Sequence, residues 1–168
     1  MTDQRERFNR IIYFSIAAGC LVMDQATKAI IQSSLSLHER VPIIPGFFSI
    51  SHEKNTGAAF SLFADTHKYT PLALAAFGLI VITAVTIMLW KSAQHFSRTG
   101  LALSLILGGA TGNLLDRLIH GHVVDFLGFY FRSYHWPDFN VADTCIVCGS
   151  ILLILDVLFP AKAPTPAV

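Results

Sequence analysis

Four long apolar stretches are the feature that most constrains how this chain can fold. They run roughly from Ile11 to Ile31, Thr70 to Trp90, Gly100 to Ile119 and Val141 to Phe159. Each is close to the ~20 residues that a helix needs to cross a bilayer, and soluble domains do not place apolar residues in blocks of that length. The pattern predicts an all-α membrane protein with four transmembrane helices.

Composition and charge exclude several other classes of function. Of the 168 residues 53% are hydrophobic, and the formal net charge is +1 without any basic block of the kind that binds nucleic acid. The cysteines have no second Cys or His pair at zinc spacing, and His120 and His122 stand two residues apart, which does not place both rings on one helical face. We therefore expect interfacial histidines, no metal, no cofactor and no nucleic-acid partner.

The distribution of basic residues predicts the orientation in the membrane. An even number of spans puts both termini on one side, and basic residues flank the spans there, which marks that side as cytoplasmic. The residues concerned are Arg5, Arg7, Arg10, Lys91, Arg98 and Lys162. We expect one domain over residues 1–168, with the segments between spans one and two and between spans three and four on the outer side.

The first outer segment carries a weak strand pattern. Phe48, Ile50 and His52 alternate with small polar residues, after a Pro-x-x-Pro-Gly break at residues 42–46. Period-two alternation following a break is typical of a strand or hairpin. We predict a short strand or hairpin there, lying on the membrane surface.

Polar residues inside the spans are costly in hydrocarbon and suggest a site. Asp24 and Lys28 lie at i and i+4 in the first span, either as a structural ion pair or as groups that orient a site. In the third span Asn113, Asp116 and Arg117 form either a network that shapes a site or a contact between helices. Gly108 and Gly112 form a GxxxG that permits close helix packing.

Two aspartates bracket the polar break between the third and fourth stretches. Asp125 follows one span and Asp143 opens the next, so antiparallel helices return both to the same membrane boundary. Asp156 lies about 20 Å further along the fourth span and cannot meet them. Two carboxyl groups that share a site cannot both ionise, which yields one acid and one base, as in aspartic peptidases.

The residues around these aspartates resemble a known family, the lipoprotein signal peptidases, which are the signal peptidase II aspartyl peptidases of bacterial inner membranes. Five blocks carry the resemblance and follow the family's order along the chain. They are Asp24-Gln25 with Lys28; Asn55-Thr56-Gly57-Ala58-Ala59-Phe60-Ser61; Gly109 with Gly112-Asn113 and Asp116-Arg117; Val123-Val124-Asp125-Phe126; and Phe139-Asn140-Val141-Ala142-Asp143.

The resemblance implies a fold, an activity and a set of site residues. It implies four helices with a small extracytoplasmic β-cradle within about residues 37–64. It also implies cleavage of prolipoproteins just before a diacylglyceryl-modified cysteine at the outer, periplasmic face of the inner membrane. Asp125 and Asp143 would form the catalytic dyad. The substrate-binding and supporting residues would be Asn55, Asn113, Arg117, Asn140, Asp24, Lys28, Gly57 and Asp116. The expected partners are the lipidated precursor and membrane lipid, and we expect a monomer.

Two other functions remain open at this stage. A small ion-coupled transporter would use the charged residues of spans one and three as an ion path, but span two offers only Thr83 and Thr86 to continue it. A membrane adaptor without activity would use the aspartates for helix packing. Cleavage of a lipidated precursor by the purified protein separates both alternatives from a peptidase.

Overall fold

The computed structural model describes residues 2–57, 70–94, 96–132 and 134–160. They form four helices, α1 (Thr2–Ser34), α2 (Thr70–Ser92), α3 (Arg98–His120) and α4 (Val141–Leu158). They also form four strands, β1 (Arg40–Ile44), β2 (Phe48–Asn55), β3 (Val123–Phe131) and β4 (Tyr134–Phe139). Each predicted apolar stretch coincides with one helix. Residues 58–64 of the predicted cradle, residues 58–61 of the second motif block and Lys162 lie outside the described residues.

Three of these helices are long and apolar enough to cross a membrane: α1 from Asp3, α2 from Leu72, and all of α4. Within the described ranges α3 does not join them, because Asn113, Asp116 and Arg117 in its last turns reduce its mean hydropathy. The structure therefore has three candidate membrane helices where the sequence predicted four. It is mostly helical, with one small antiparallel sheet.

Helix α3 contacts all three other helices, and glycines permit the closest of these contacts. A Cβ atom at Gly108 would lie 2.5 Å from the carbonyl oxygen of Ala17 on α1, and one at Gly112 would strike the carboxylate of Asp24. The GxxxG prediction of close packing is thus confirmed, with α1 as the partner. Any larger residue at either position forces α1 and α3 apart.

The four strands form one antiparallel sheet in the order β1-β2-β3-β4. The β1–β2 hairpin matches the strand or hairpin predicted there, but the predicted cradle stopped at about residue 64, and the sheet includes β3 and β4 as well. The difference arises because residues 123–131 form a run of mainly apolar and aromatic residues without alternation, which does not identify a strand by its period.

One face of the sheet packs on the end of α1. Ile31 forms a buried cluster with Val124 and Phe126 of β3, and Leu35 and Ile50 pack against it. This contact fixes the height of β3 relative to the helices. Asp125 alternates with Val124 and Phe126, so its side chain lies on the other face of the strand.

Arg40 ties the four strands together on that other face. From β1 it donates through NH1 to the hydroxyl of Ser49 at 3.1 Å and through NH2 to Oδ2 of Asp138 on β4 at 2.6 Å. The side chain passes over β3 at Gly128, where a Cβ atom would lie 2.5 Å from both Arg40 NH1 and Asp138 Oδ1. Glycine at this position therefore allows the ion pair to cross the sheet.

Candidate active site

Asp125 is buried on β3, with only 2% of its surface exposed. Its Oδ2 accepts a hydrogen bond from Nδ2 of Asn55 at 2.9 Å, and its Oδ1 accepts one from Nδ2 of Asn140 at 2.7 Å. Burial raises the pKa of Asp125 most, the nearby charge of Asp143 also raises it, and the two amide hydrogen bonds lower it, which leaves a pKa of about 7. A carboxyl group with this pKa holds its proton up to near neutral pH.

Asp143 is the third residue of α4 and belongs to the cap of that helix. Asn140 is the N-cap: its Oδ1 accepts from the backbone N–H of Asp143 at 2.9 Å, and Asp143 Oδ2 accepts from the backbone N–H of Asn140 at 3.3 Å. This reciprocal pair is a capping box. The other oxygen of Asp143, Oδ1, accepts from Nδ2 of Asn113 at 2.8 Å.

Asn140 connects the two aspartates. It is fully buried, its side-chain amide bonds Asp125, and its backbone amide bonds Asp143. The same Nδ2 also lies 3.3 Å from Oδ1 of Asn113 and from the carbonyl oxygen of Val124. The structure thus brings Asp125 and Asp143 into one hydrogen-bond network, as the bracketing of the polar break predicted.

Lys28 lies beneath this network and forms ion pairs with two other buried carboxylates. Its Nζ is 2.8 Å from Oδ2 of Asp24 and 2.8 Å from Oδ2 of Asp116, and it donates to Oδ1 of Asn113 at 3.1 Å. The predicted Asp24–Lys28 pair is therefore present, and Lys28 also reaches α3. Through Asn113 it orients the amide that bonds Asp143.

Both carboxylates at Lys28 have partners on every oxygen. The other oxygen of Asp24 accepts from the backbone N–H of Ala142 at 2.9 Å, and Asp116 accepts from the backbone N–H of Val124 at 3.2 Å. Gln25 completes the set, donating to Oδ1 of Asp116 at 2.9 Å. Gln25 was not among the predicted site residues, although it stands beside Asp24 in the first motif block.

Arg117 holds the chain that follows β2. It donates through NH2 to the carbonyl oxygen of Gly57 at 2.8 Å and through NH1 to that of Asn113 at 3.3 Å. Gly57 in turn donates its N–H to Oδ1 of Asn55 at 2.9 Å, which leaves the Asn55 amide directed at Asp125. Arg117 therefore holds Gly57 in place and, through it, the Asn55 amide.

A cavity of about 330 Å³ lies between α2, α3 and α4 and reaches this polar network. Most of its wall is apolar, and its polar lining comes from four of the predicted site residues. The residues that line it are Asn55, Leu74, Phe77, Gly78, Val81, Ile106, Ala110, Asn113, Leu114, Arg117, Val123, Asp143 and Ile146. An apolar segment in this cavity would therefore end beside Asp143.

Asp156, His120 and His122 make their hydrogen bonds outside this network. Asp156 accepts from Oγ1 of Thr99 at 2.5 Å near the start of α3, at the opposite end of that helix from Asp116. Nδ1 of His122 is 2.9 Å from the carbonyl oxygen of His120. Among the residues that the structure describes, no group of three or more His, Cys, Asp or Glu side chains is placed to hold a metal ion.

Comparison with known structures and families places the chain in a class of membrane enzymes. A solved structure described as a bacterial membrane enzyme, determined by the in meso method at 2.3 Å resolution, matches with a TM-score of 0.79 and 29% identity. The match covers 92% of this chain and 94% of that one. The protein is therefore an integral membrane protein with the fold of that enzyme.

Sequence comparison identifies the family. The family model described as Signal peptidase (SPase) II matches residues 16–159. A lipoprotein signal peptidase of Geobacter sulfurreducens is 42% identical over 92% of this chain and 96% of its own length. Another, of Desulforapulum autotrophicum, is 44% identical over 83% and 86%. The chain belongs to the signal peptidase II family of peptidases, which confirms the resemblance, and the transporter alternative finds no support.

Proposed function

We propose that this protein is an aspartic endopeptidase that removes signal peptides from prolipoproteins by cleaving just before the diacylglyceryl-modified cysteine. Asp125 and Asp143 form its catalytic dyad. One observation carries this proposal: Asp125 is a buried carboxyl with a pKa of about 7, beside a second aspartate held by the same asparagine. A carboxyl that keeps its proton near neutral pH is the acid that such chemistry needs.

The proposed reaction uses one shared proton. Asp143 acts as the base and takes a proton from a water molecule, whose oxygen adds to the scissile carbonyl carbon while Asp125 donates its proton to the carbonyl oxygen. The tetrahedral intermediate then collapses: the C–N bond breaks, Asp143 returns its proton to the leaving amine, and Asp125 regains a proton from the hydroxyl group. The position of Asp143 at the third residue of α4 favours a negative charge there.

The other buried carboxylates support the dyad. Asp24 and Asp116 share the cation of Lys28 and accept backbone hydrogen bonds, so each of their oxygens is already engaged within the protein. Removing either one takes away an ion pair of Lys28 and leaves the backbone N–H that it bonded without that acceptor. We infer that these three residues set the height of α1 and α4 and, through Asn113, the direction of Asp143.

The substrate reaches the dyad from the lipid phase in this proposal. The cavity between α2, α3 and α4 offers an apolar wall that ends beside Asp143, which suits a lipid-anchored signal segment. Asn55, Asn113 and Arg117 are assigned to the substrate site on this basis, and Asn140 is assigned to it because its amide donates to Asp125. Gly57 supports them because its carbonyl oxygen anchors Arg117.

The proposal includes an arrangement in the membrane. Helix α3 is the third of four spans, and its contacts with α1, α2 and α4 shield its polar side chains from lipid. Residues 1–168 then form one domain in the bacterial inner membrane, with both termini in the cytoplasm and the dyad at the outer face. The basic residues that flank the spans support this orientation, and we propose that a monomer suffices.

Cleavage of a lipidated precursor peptide by the purified protein tests the proposal. Asp125→Asn and Asp143→Asn should each reduce kcat by at least about 10²–10⁴-fold, the usual contribution of a positioned acid or base. Asp156→Asn makes the same chemical change at the far end of the bundle and should retain activity. A chelator should have no effect. Substantial turnover by either dyad variant would refute the assignment, and an inactive wild-type protein would favour an adaptor.

A further inference from the structure

The end of the bundle opposite Asp125 carries an arginine stacked on an exposed tryptophan. The guanidinium carbon of Arg10 on α1 lies 4.3 Å from the centre of the Trp90 ring at the end of α2. Asn9 fixes the two helices in this position, donating from Nδ2 to the carbonyl oxygen of Ala93 at 3.0 Å. The stack is therefore part of the α1–α2 contact, while Trp90 remains 54% exposed.

The stack forms one wall of a groove that combines charge with apolar surface. The groove has a volume of about 540 Å³ and is lined by Arg7, Arg10, Ile11, Phe14 and Trp90. The two arginines lie nearer the chain terminus, and the aliphatic and aromatic residues follow toward the membrane interior. That order matches the phosphate and upper acyl chain of a phospholipid seated at the boundary.

The arginines have donors to spare. Arg10 uses NH2 to bond Glu6 at 3.3 Å, but its Nε–H is buried without an acceptor among the described residues. Arg7 pairs with Asp3 at 3.3 Å, and the two side chains are 73% and 76% exposed. Ion pairs that are this exposed to solvent are weak. The exposed parts of the two guanidinium groups are therefore available to an added anion.

We propose that this groove binds the headgroup of an anionic phospholipid, with its phosphate on Arg7 and Arg10 and its upper acyl chain along Ile11 and Phe14. Arginine suits this role because its planar fork bonds phosphate through two N–H groups while its face stacks on an aromatic ring. Lys91, adjacent to Trp90 and exposed, adds positive charge at the same boundary. The site is separate from the dyad, and its occupancy does not depend on peptidase activity.

Quenching of Trp90 fluorescence by lipids brominated near the headgroup tests the proposal in reconstituted protein. Trp136→Phe removes the other tryptophan, which lies on β4. At equal mole fraction, brominated phosphatidylglycerol should quench Trp90 more than brominated phosphatidylcholine. We expect a relative affinity of about fivefold for each arginine engaged, the factor that one basic side chain contributes near an anionic surface. Equal quenching by the two lipids would overturn the proposal, and this comparison needs no substitution in the groove.

Two variants, each of which replaces an arginine by an uncharged glutamine, locate the source of the preference for phosphatidylglycerol. Arg10→Gln should reduce the preference for phosphatidylglycerol by about fivefold. Arg98→Gln removes the same charge from the same end of the bundle, but Arg98 lies on α3 facing Asp156, with 3.8 Å between Nε and Oδ1. It should leave the preference unchanged. An equal loss in both variants would mean a diffuse basic surface and would overturn the assignment to the groove.

Discussion

Replacing Asp125 by asparagine tests whether Asp125 is protonated in the folded protein. The test is the pH dependence of the free energy of unfolding. The carboxyl group has a pKa of about 7 in the folded protein, against an ordinary value of 3.8. Because it is only 2% exposed, solvent does not screen this difference. The folded state therefore keeps a proton between about pH 4 and pH 7 that the unfolded chain has already released.

The sign and size of the effect follow from proton linkage. The stability that this proton provides is fully present below pH 3.8 and is lost as the pH rises through about 7. Each pH unit between 3.8 and about 7 lowers the free energy of unfolding by about 1.4 kcal/mol, so the whole range lowers it by about 4 kcal/mol. Asp125→Asn removes the titrating group, and its free energy of unfolding relative to wild type should rise by about that amount from pH 4 to above pH 7.

Thermal unfolding in a neutral detergent, measured for both proteins across this range, checks the prediction. The variant amide faces two amide donors, from Asn55 and Asn140, but that mismatch does not depend on pH and cancels in the comparison between pH values. Asp125→Leu should show the same pH dependence relative to wild type, despite a different absolute stability. A difference that stays constant with pH, or that favours the wild type at alkaline pH, would refute the reasoning.

Three further outcomes follow from the same contacts. Gly112→Ala drives a methyl group into the carboxylate of Asp24 and should lower the free energy of unfolding by about 3 kcal/mol, measured by thermal unfolding. Gly19→Ala is the control, because open space surrounds Gly19, and it should not lower the free energy of unfolding. Equal losses in the two variants would contradict the packing argument. Gly78→Leu places a side chain in the cavity and should raise KM for a lipidated precursor about tenfold with kcat little changed. The kcat of the wild type should fall as the pH rises through about 7, when Asp125 loses its proton; a flat profile there would assign the acid elsewhere.

The sequence predicts the helices well because the bilayer fixes their length. The fourth stretch was expected at residues 141–159, and α4 spans Val141–Leu158. The first was expected to begin at Ile11, but α1 begins at Thr2. Hydropathy measures the part of a helix that lies in hydrocarbon, and a helix continues into water wherever its backbone hydrogen bonds continue. Apolar length therefore locates the spans but not their ends.

Only part of the sheet is predicted by the sequence, because a strand without alternation has no local signal. Strand β2 alternates and was identified, whereas β3 has no period and is defined by its neighbours. Its pairing with β2, with Asn55 opposite Val123 and Glu53 opposite Asp125, is a contact between segments far apart in sequence. Local pattern carries no information on such a partner. Consequently Asp125 was placed in a connection between helices, while the structure holds it on a strand beside Asn55.

The cap of α4 shows why some parts of the candidate site have a local signal in the sequence and others do not. The order Asn140-x-x-Asp143 before an apolar run is a local signal for a helix start, and the structure has a capping box there. The role of Asn140 toward Asp125 has no such signal, because it depends on β3 lying over the helix end. One buried side chain therefore caps α4 and bonds the acid on β3. Helix formation and the position of the Asp125 carboxyl are coupled at that residue, so a change at Asn140 affects both.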